Sequence, residues 1–248
     1  MIAQRRWGAI PARVGFVLVH GVMDRSASFN RLARRLVEAT EVGAVSYDRR
    51  GYAESISAGP GSLDQHAGDL AEVIDTFDAE RIVILGHSFG GTVAWHAVGN
   101  GLRPDLLATY EAPLPQLPGY RNDLADSTLA VASSDGTDAA VVHFARSVLG
   151  SDNWNNLRTT FQEARIDEGP AIVADLEELS HSEPLSPPVE VRRAVAYGEL
   201  SGSYEAQMAA ALAELLAVAP TVIDGASHGV HLTHPGACRH WLVDSYGS

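Results

Sequence analysis

The stretch RIVILGHSFGGTVAW, residues 81–95, decides the fold of this chain. It begins with a β-branched apolar run that predicts a buried strand, and the residues after Gly91 predict the start of a helix. Ser88 then lies at a sharp strand-to-helix turn between Gly86 and Gly90, which suit a crossing with no room for a Cβ. The pattern predicts that Ser88 is a nucleophile, because a purely structural glycine-rich turn does not require this strand–turn–helix context.

The composition limits the possible classes of protein. A chain of 248 residues fits one large domain, or a domain with an inserted lid, and can bury a substantial core. The formal net charge of −13 argues against binding to nucleic acids or to anionic membrane surfaces, since both would repel it. We therefore expect a small-molecule substrate as the partner, while the oligomeric state stays open.

Localisation signals and cysteine content limit the possible classes of protein further. No apolar stretch approaches the roughly 20 residues of a membrane span, and the basic residues near the N-terminus are not followed by a long apolar segment. The sequence therefore predicts a cytoplasmic protein without a signal peptide. A single cysteine, Cys238, excludes an internal disulfide and a cysteine-based zinc site, and we expect its thiol to be packed rather than reactive.

Strand and helix patterns alternate along most of the chain, which is typical of a mostly parallel sheet covered by helices on both faces. This α/β pattern predicts strands at 16–19, 44–48, 81–85, 106–110, 189–197 and 221–224, and helices at 28–39, 63–77, 91–100, 204–217 and from 235.

The alternation stops after Glu111, where prolines mark a loop. Helical patterns at 137–149, 152–164 and 168–179 then follow one another with no strand pattern between them. We interpret residues 113–188 as a helical lid inserted into a core of residues 1–112 and 189–248, because the insertion begins at the carboxyl end of a strand, where α/β sheets bind ligands. The alternative is that these helices only close one side of the sheet.

Four motifs carry a resemblance to a known family. In chain order they are VLVHG (17–21), YDRRGYAES (47–55), GHSFGG (86–91) and GASH (225–228). With them the chain resembles the α/β-hydrolase fold family, and within it the serine hydrolases and esterase-like members. The resemblance implies a nucleophile, acid and histidine in that chain order, acting without a cofactor. The N-terminus looks short for the family's first two strands, so we expect a trimmed sheet edge.

His228 is the predicted base for Ser88. A serine hydroxyl is a poor nucleophile until a base accepts its proton, and His228 follows a short predicted strand near the C-terminus, as the resemblance requires. His231 and His234 lie close by and are expected to be structural. We predict no metal site from these three histidines, since no strand or helix phase brings them together and no carboxylate is adjacent.

The acid departs from the family's common pattern. An aspartate usually follows the strand after the lid, but here Leu200 or Ser201 occupies that place and Glu199 stands one or two positions early. Glu111 directly follows the strand at 106–110, and some family members, including haloalkane dehalogenases, take their acid from that strand end. We predict Glu111 as the acid, with Glu199, or a pair that lacks an acid, as the alternatives.

Other predicted site residues surround the nucleophile. The backbone N–H groups of Phe89 and Val22 are the expected oxyanion donors, with Met23 as an alternative to Val22. Met23, Phe144 and Trp154 are expected to contact the substrate, in an apolar lid lining that also includes Leu117, Val141 and Phe161 and of which about half should be the lid's own core. Six polar residues are interpreted as structural or solvated, namely His20, Asp48, Arg49, Arg50, Asp69 and His87.

These roles predict a serine hydrolase that cleaves an ester or a related acyl bond of a small, largely apolar substrate through an acyl-enzyme. Lactone, thioester and carbon–carbon bond hydrolysis stay open, because they use the same triad. Haloalkane dehalogenation is disfavoured, because it needs a carboxylate where Ser88 stands. The alternatives are a non-catalytic ligand receptor and a cofactor-free peroxidase-like or biosynthetic enzyme on the same fold.

Overall fold

A mostly parallel sheet forms the centre of the computed structural model, which describes residues 2–115, 117, 119–181 and 191–247. Within these ranges the strands are β1 (Gln4–Gly8), β2 (Val14–Val19), β3 (Val42–Tyr47), β4 (Ile82–His87), β5 (Leu106–Tyr110), β6 (Arg192–Gly198) and β7 (Thr221–Ile223). Their order across the sheet is β1-β3-β2-β4-β5-β6-β7, and β1 runs antiparallel to β3 while the other pairs are parallel. The predicted α/β sheet is confirmed.

Helices cover both faces of the sheet. They are α1 (Asn30–Leu36), α2 (Leu63–Asp75), α3 (Phe89–Gly99), α4 (Asp123–Asp135), α5 (Thr137–Leu149), α6 (Ser151–Asn155), α7 (Thr159–Asp167), α8 (Gly169–His181), α9 (Ser203–Leu216), α10 (Val230–Thr233) and α11 (Pro235–Gly247). One apolar cluster lies between the sheet and α2, α3, α8 and α9, and a second lies between the sheet and α1 and α11. No helix in the described ranges is both long enough and apolar enough to cross a bilayer.

Five of these helices, α4 to α8, follow one another between β5 and β6, and we call residues 123–181 the helical segment. The predicted lid boundary at residue 188, and the predicted strand start at Val189, lie outside the described residues. Helix α4 was not predicted. It buries only Ala125 and Thr128, so its helical pattern is weak, and its start is marked by Asn122, whose side chain accepts a hydrogen bond from Ala125 N at 3.0 Å.

Two other elements differ from the sequence-based prediction. The single helix expected at 152–164 is two helices, α6 and α7, which end and begin on either side of residues 156–158. Strand β1 was not predicted either. It is a five-residue edge strand, and Arg5 and Arg6 give it a polar pattern. The described sheet has this one strand before β2.

Candidate active site

Ser88 stands at the turn between β4 and α3 in a strained backbone conformation, with φ of 52° and ψ of −130°. A Cβ on Gly86 would lie 2.4 Å from Cα of Gly91, and a Cβ on Gly90 would lie 2.2 Å from the Val19 carbonyl oxygen. Both glycines are therefore required by the close crossing of strand and helix, as the sequence pattern predicted. The half-buried Ser88 side chain makes no hydrogen bond within the described residues, and catalytic hydrogen bonds often tighten only when substrate binds.

Glu111 and His228 meet at the carboxyl end of the sheet. Glu111 follows β5 with φ of 48°, and its Oε2 lies 2.7 Å from Nδ1 of His228. Its other oxygen accepts hydrogen bonds from Gly198 N at 2.8 Å and from the hydroxyl of Ser201. The Glu111 side chain is fully buried, whereas 47% of the His228 side chain is exposed. The arrangement places a fully bonded carboxylate behind a ring that faces the surface.

The hydrogen bonds around Glu111 determine its charge. Burial by itself raises the pKa of Glu111, but the hydrogen bonds from His228, Ser201 and Gly198 outweigh it and hold the pKa below its ordinary value. Glu111 is therefore ionised at neutral pH. Its carboxylate accepts the Nδ1 proton of His228, which leaves Nε2 of that ring available as a base.

Glu199, the alternative acid, binds elsewhere. It is exposed, and its Oε2 accepts a hydrogen bond from Gly225 N at 2.8 Å, which closes the turn that leads to His228. Ser201, which stands where the family's usual aspartate was sought, instead donates its hydroxyl to Glu111. Sequence reasoning did not assign this role to Ser201, and the one signal was its place after β6.

His87 fixes the loop that carries His228. Its Nε2 donates to the backbone oxygen of His228 at 2.7 Å, and the two ring centroids are 4.7 Å apart. Burial lowers the pKa of His87 well below its ordinary value, so the ring is neutral. Because His87 precedes Ser88 in the chain, this hydrogen bond ties the predicted base to the turn that carries the predicted nucleophile. The Tyr110 hydroxyl adds a second tie, to the Ser227 oxygen at 2.9 Å.

The loop after β2 lies against Ser88, the predicted nucleophile. A Cβ on Gly21 would be 2.8 Å from Cβ of Ser88 and 3.2 Å from its Oγ, so only glycine allows this approach. Val22 follows directly. On the other side, Phe89 is the first residue of α3, so its N–H has no acceptor inside the helix. The two predicted oxyanion donors thus lie on elements that flank Ser88.

Comparison with known proteins places the chain among relatives of the same architecture. Residues 16–241 match the family model described as the Alpha/beta hydrolase family. The chain belongs to this family. It is 32% identical over 168 residues to Lipase LipV of Mycobacterium tuberculosis, a match that covers 66% of this chain and 60% of LipV. The matched part thus spans about three fifths of that curated relative.

Solved structures share the fold of this chain at low identity. An esterase from Exiguobacterium antarcticum aligns with a TM-score of 0.75 at 18% identity, covering 100% of this chain and 96% of the esterase. A bromoperoxidase from Bacillus anthracis aligns with a TM-score of 0.72 at 17% identity, covering 99% of this chain and 95% of the bromoperoxidase. At such identities the likeness shows the fold alone, so the chemistry has to be argued from the site.

His20 shapes the loop after β2, which is the predicted oxyanion loop, and neither of its ring nitrogens is free for chemistry. Its Nδ1 donates to the Gly21 oxygen at 2.8 Å, and its Nε2 accepts from Arg49 N at 2.9 Å. Burial, reinforced by the nearby Arg49 charge, lowers the pKa of His20 to about 4. His20 is therefore neutral at physiological pH, and both its ring nitrogens are used in structure, as expected.

The predicted substrate contacts are found in different surroundings. Met23 is half-buried in the loop after Gly21 with φ of 57°. Phe144 lies in the apolar cluster beneath the helical segment, and Trp154 is buried within that segment. Cavities of about 570 and 400 Å³ open beside the segment, and neither is lined by Ser88 or His228. Contact of these three side chains with substrate stays a prediction.

One group of side chains within the described ranges has the spacing of a metal site. Ligand atoms of Asp24, His87 and His231 lie within 4.8 Å of one another. The sequence argument against a site made of His228, His231 and His234 relied on their strand or helix phase and on the lack of an adjacent carboxylate. The fold brings Asp24 to His231, but His228 and His234 are not in this group. Within this group, Asp24 Oδ2 lies 3.2 Å from Nε2 of His231.

The prediction that Asp69 is solvated or caps a helix is wrong. Its carboxylate is buried and binds the Arg50 guanidinium through two hydrogen bonds, at 2.7 and 2.8 Å. The spacing of 19 residues between a loop and a helix gave no sequence signal for this pair. Asp48 and Arg49 are scaffold residues as expected, since Asp48 accepts hydrogen bonds from Ser26 N and Glu54 N.

Proposed function

We propose that this protein is a serine hydrolase that cleaves an ester or a related acyl bond, with Ser88 as nucleophile, His228 as base and Glu111 as acid. The observation that carries the proposal is the 2.7 Å contact between Glu111 and His228 in a loop that His87 ties to the Ser88 turn. A histidine that is oriented by a buried carboxylate beside a strained serine is the arrangement that activates a hydroxyl.

Acylation follows from these positions. Nε2 of His228 takes the Ser88 proton as Oγ attacks the carbonyl carbon, and the carbonyl π pair moves to the oxygen. The N–H groups of Phe89 and Val22 stabilise that oxyanion, and each such donor contributes a factor of about 10²–10³ in rate. The tetrahedral intermediate expels the alcohol, which takes the proton from His228, and Ser88 keeps the acyl group as an ester.

Deacylation repeats the sequence with water. His228 removes a proton from water as the oxygen attacks the acyl carbon, and the proton returns to Ser88 Oγ when the carbon–oxygen bond breaks. Glu111 stays ionised throughout and stabilises the imidazolium that forms in both halves. The acid product then leaves and the free enzyme is restored.

The helical segment is proposed as the lid that shapes the substrate pocket. Its residues Arg165, Glu168 and Asp175 bind the loops that follow β2 and β3, at the edge of the sheet where Ser88 lies. The half-buried apolar side chains of Val22 and Met23 favour a small, largely apolar acyl or aromatic group at that edge.

A fluorophosphonate probe and p-nitrophenyl esters of short acids test the proposal. We expect the wild type to be labelled and to turn over these esters, and Ser88→Ala to lose both. Ser134→Ala, an exposed hydroxyl of α4, is the matched control and should keep both. A folded wild-type protein that is neither labelled nor active would overturn the proposal in favour of a ligand-binding protein.

A further inference from the structure

Two arginines hold the carbonyl groups on both sides of Val22. Arg49 donates Nε to the His20 oxygen at 2.9 Å and Nη2 to the Gly21 oxygen at 3.0 Å. Arg165 donates Nη1 to the Met23 oxygen at 3.1 Å. Both guanidinium groups are buried. The loop that presents the Val22 N–H is thus fixed from either side by charged hydrogen bonds.

Asp175, in α8, supplies the charge that balances Arg49. Its carboxylate binds Arg49 through two hydrogen bonds of 2.6 and 3.0 Å and also accepts the Tyr52 hydroxyl at 2.6 Å. The Arg49 guanidinium lies over the rings of Tyr52 and Phe89, at 4.7 and 4.8 Å from their centroids. Since Phe89 carries the other oxyanion donor, the single buried Arg49 contacts both donor elements.

Glu168 is the carboxyl partner of the second arginine, Arg165. Its Oε1 lies 3.2 Å from Arg165 Nη2 and 2.8 Å from Arg25 Nη2, and accepts from Ala53 N at 2.8 Å. Met23, whose oxygen Arg165 holds, has a left-handed backbone with φ of 57°. A non-glycine residue keeps that conformation only where its surroundings over-determine it.

We propose that Asp175 and Arg165 of the helical segment are positioning residues of the active site, which set the oxyanion loop through the carbonyls that flank Val22. The inference deepens the serine hydrolase proposed above and rests on it. A buried arginine without its carboxylate is strongly disfavoured, so Arg49 keeps its orientation only while α8 delivers Asp175. The segment is then part of the catalytic scaffold and not only a cover for the substrate.

The test compares Asp175→Asn and Arg165→Lys with Asp69→Asn. Asparagine removes the charge that orients Arg49. Lysine keeps the charge at position 165 but replaces the planar fork, which spans the Met23 oxygen and Glu168 with two nitrogens, by a single ammonium. Asp69 also pairs with an arginine, the partly buried Arg50, and among the described residues no hydrogen bond joins either of them to the loop after β2. Each variant is measured for melting temperature, for kcat and KM on a p-nitrophenyl ester well below that temperature, and for inhibition by a trifluoromethyl ketone, which forms a tetrahedral oxyanion.

In Asp175→Asn and Arg165→Lys we expect the displaced loop to lower kcat by about 10- to 100-fold. Inhibition by the trifluoromethyl ketone should weaken by a similar factor, while KM changes less than about threefold. Asp69→Asn should lower the melting temperature and leave kcat within about twofold. Arg165→Lys keeps the test decisive if Asp175→Asn does not fold. Unchanged kcat and inhibitor binding in folded variants would overturn the positioning role, whereas a wild type without turnover or labelling would overturn the proposed function itself.

Discussion

Glu111 Oε2 and Nδ1 of His228 lie 2.7 Å apart, although the two residues are separated by 117 positions in the chain. The contact joins the end of β5 to the loop after β7, the last strand of the described sheet. The contact gives the ring a fixed orientation beside the Ser88 turn. We therefore expect activity to depend on the carboxylate of Glu111.

Glu111→Gln should lower kcat by about 10³- to 10⁴-fold, because the amide N–H₂ of glutamine would face Nδ1 and favour the wrong tautomer of His228. Glu199→Gln is the matched control, and a change of only a few-fold is expected since Glu199 binds the Gly225 amide. Steady-state kinetics on one ester, with circular dichroism to check folding, distinguishes them. Equal small losses in both variants would contradict the assignment of Glu111.

Ser201→Ala tests the support behind that carboxylate. The variant removes one of the three hydrogen bonds that hold the pKa of Glu111 low, so the carboxylate should be less firmly oriented and kcat should fall by about 3- to 10-fold. Ser203→Ala, an exposed hydroxyl two residues further on, should have no effect. A Ser201→Ala enzyme with wild-type kinetics would show that Gly198 and His228 suffice.

The sequence predicted the sheet and the turn at Ser88 because both are local patterns. A β-branched run and two spaced glycines require only neighbouring residues to specify β4, Ser88 and α3. Local patterns did not predict α4, because its many polar residues obscure the helical spacing of its apolar ones. They did not predict β1 either, because its two arginines are untypical of a strand. Helix and strand signals weaken where few residues of an element are buried.

The sequence did not predict the polar pairs between residues that are far apart in the chain. Asp69 appeared solvated because nothing in its local pattern indicates Arg50, and Asp175 lies 126 positions from Arg49. A buried charged side chain requires a partner of opposite charge, but which side chains are buried is known only once the helices are packed. For Glu111 the resemblance to other family members supplied what the local pattern could not.

Gly90→Ala should prevent folding or lower the free energy of unfolding by at least about 3 kcal/mol, since its Cβ would lie 2.2 Å from the Val19 oxygen. Gly68→Ala is the matched control. Gly68 is an exposed position in α2 with no atom within 4 Å of the added Cβ, so alanine should raise that free energy by about 0.5–1 kcal/mol. Urea unfolding of the purified variants measures both changes, and a stable Gly90→Ala protein would contradict the crossing geometry.

The lowered pKa of His20 predicts that the protein is less stable in mild acid. Its pKa is lowered from 6.5 to about 4 by burial and by Arg49, so the unfolded chain binds a proton there at a pH where the folded protein does not. The contribution is complete above pH 6.5 and is lost as the pH falls toward 4, by up to about 3 kcal/mol. Burial raises the pKa of Glu168 to about 7, which acts in the opposite direction over the same range.

Comparison with His20→Asn isolates the histidine, because Glu168 is present in both proteins and its effect cancels. Asparagine can still donate one hydrogen bond and accept another, but it does not titrate. Between pH 7 and pH 4.5 the free energy of unfolding, measured in urea, should fall by about 2–3 kcal/mol more in the wild type than in the variant. Parallel pH profiles for the two proteins would mean that the pKa of His20 is the same in the folded protein and in the unfolded chain, which contradicts a buried ring whose Nε2 accepts a hydrogen bond from Arg49 N.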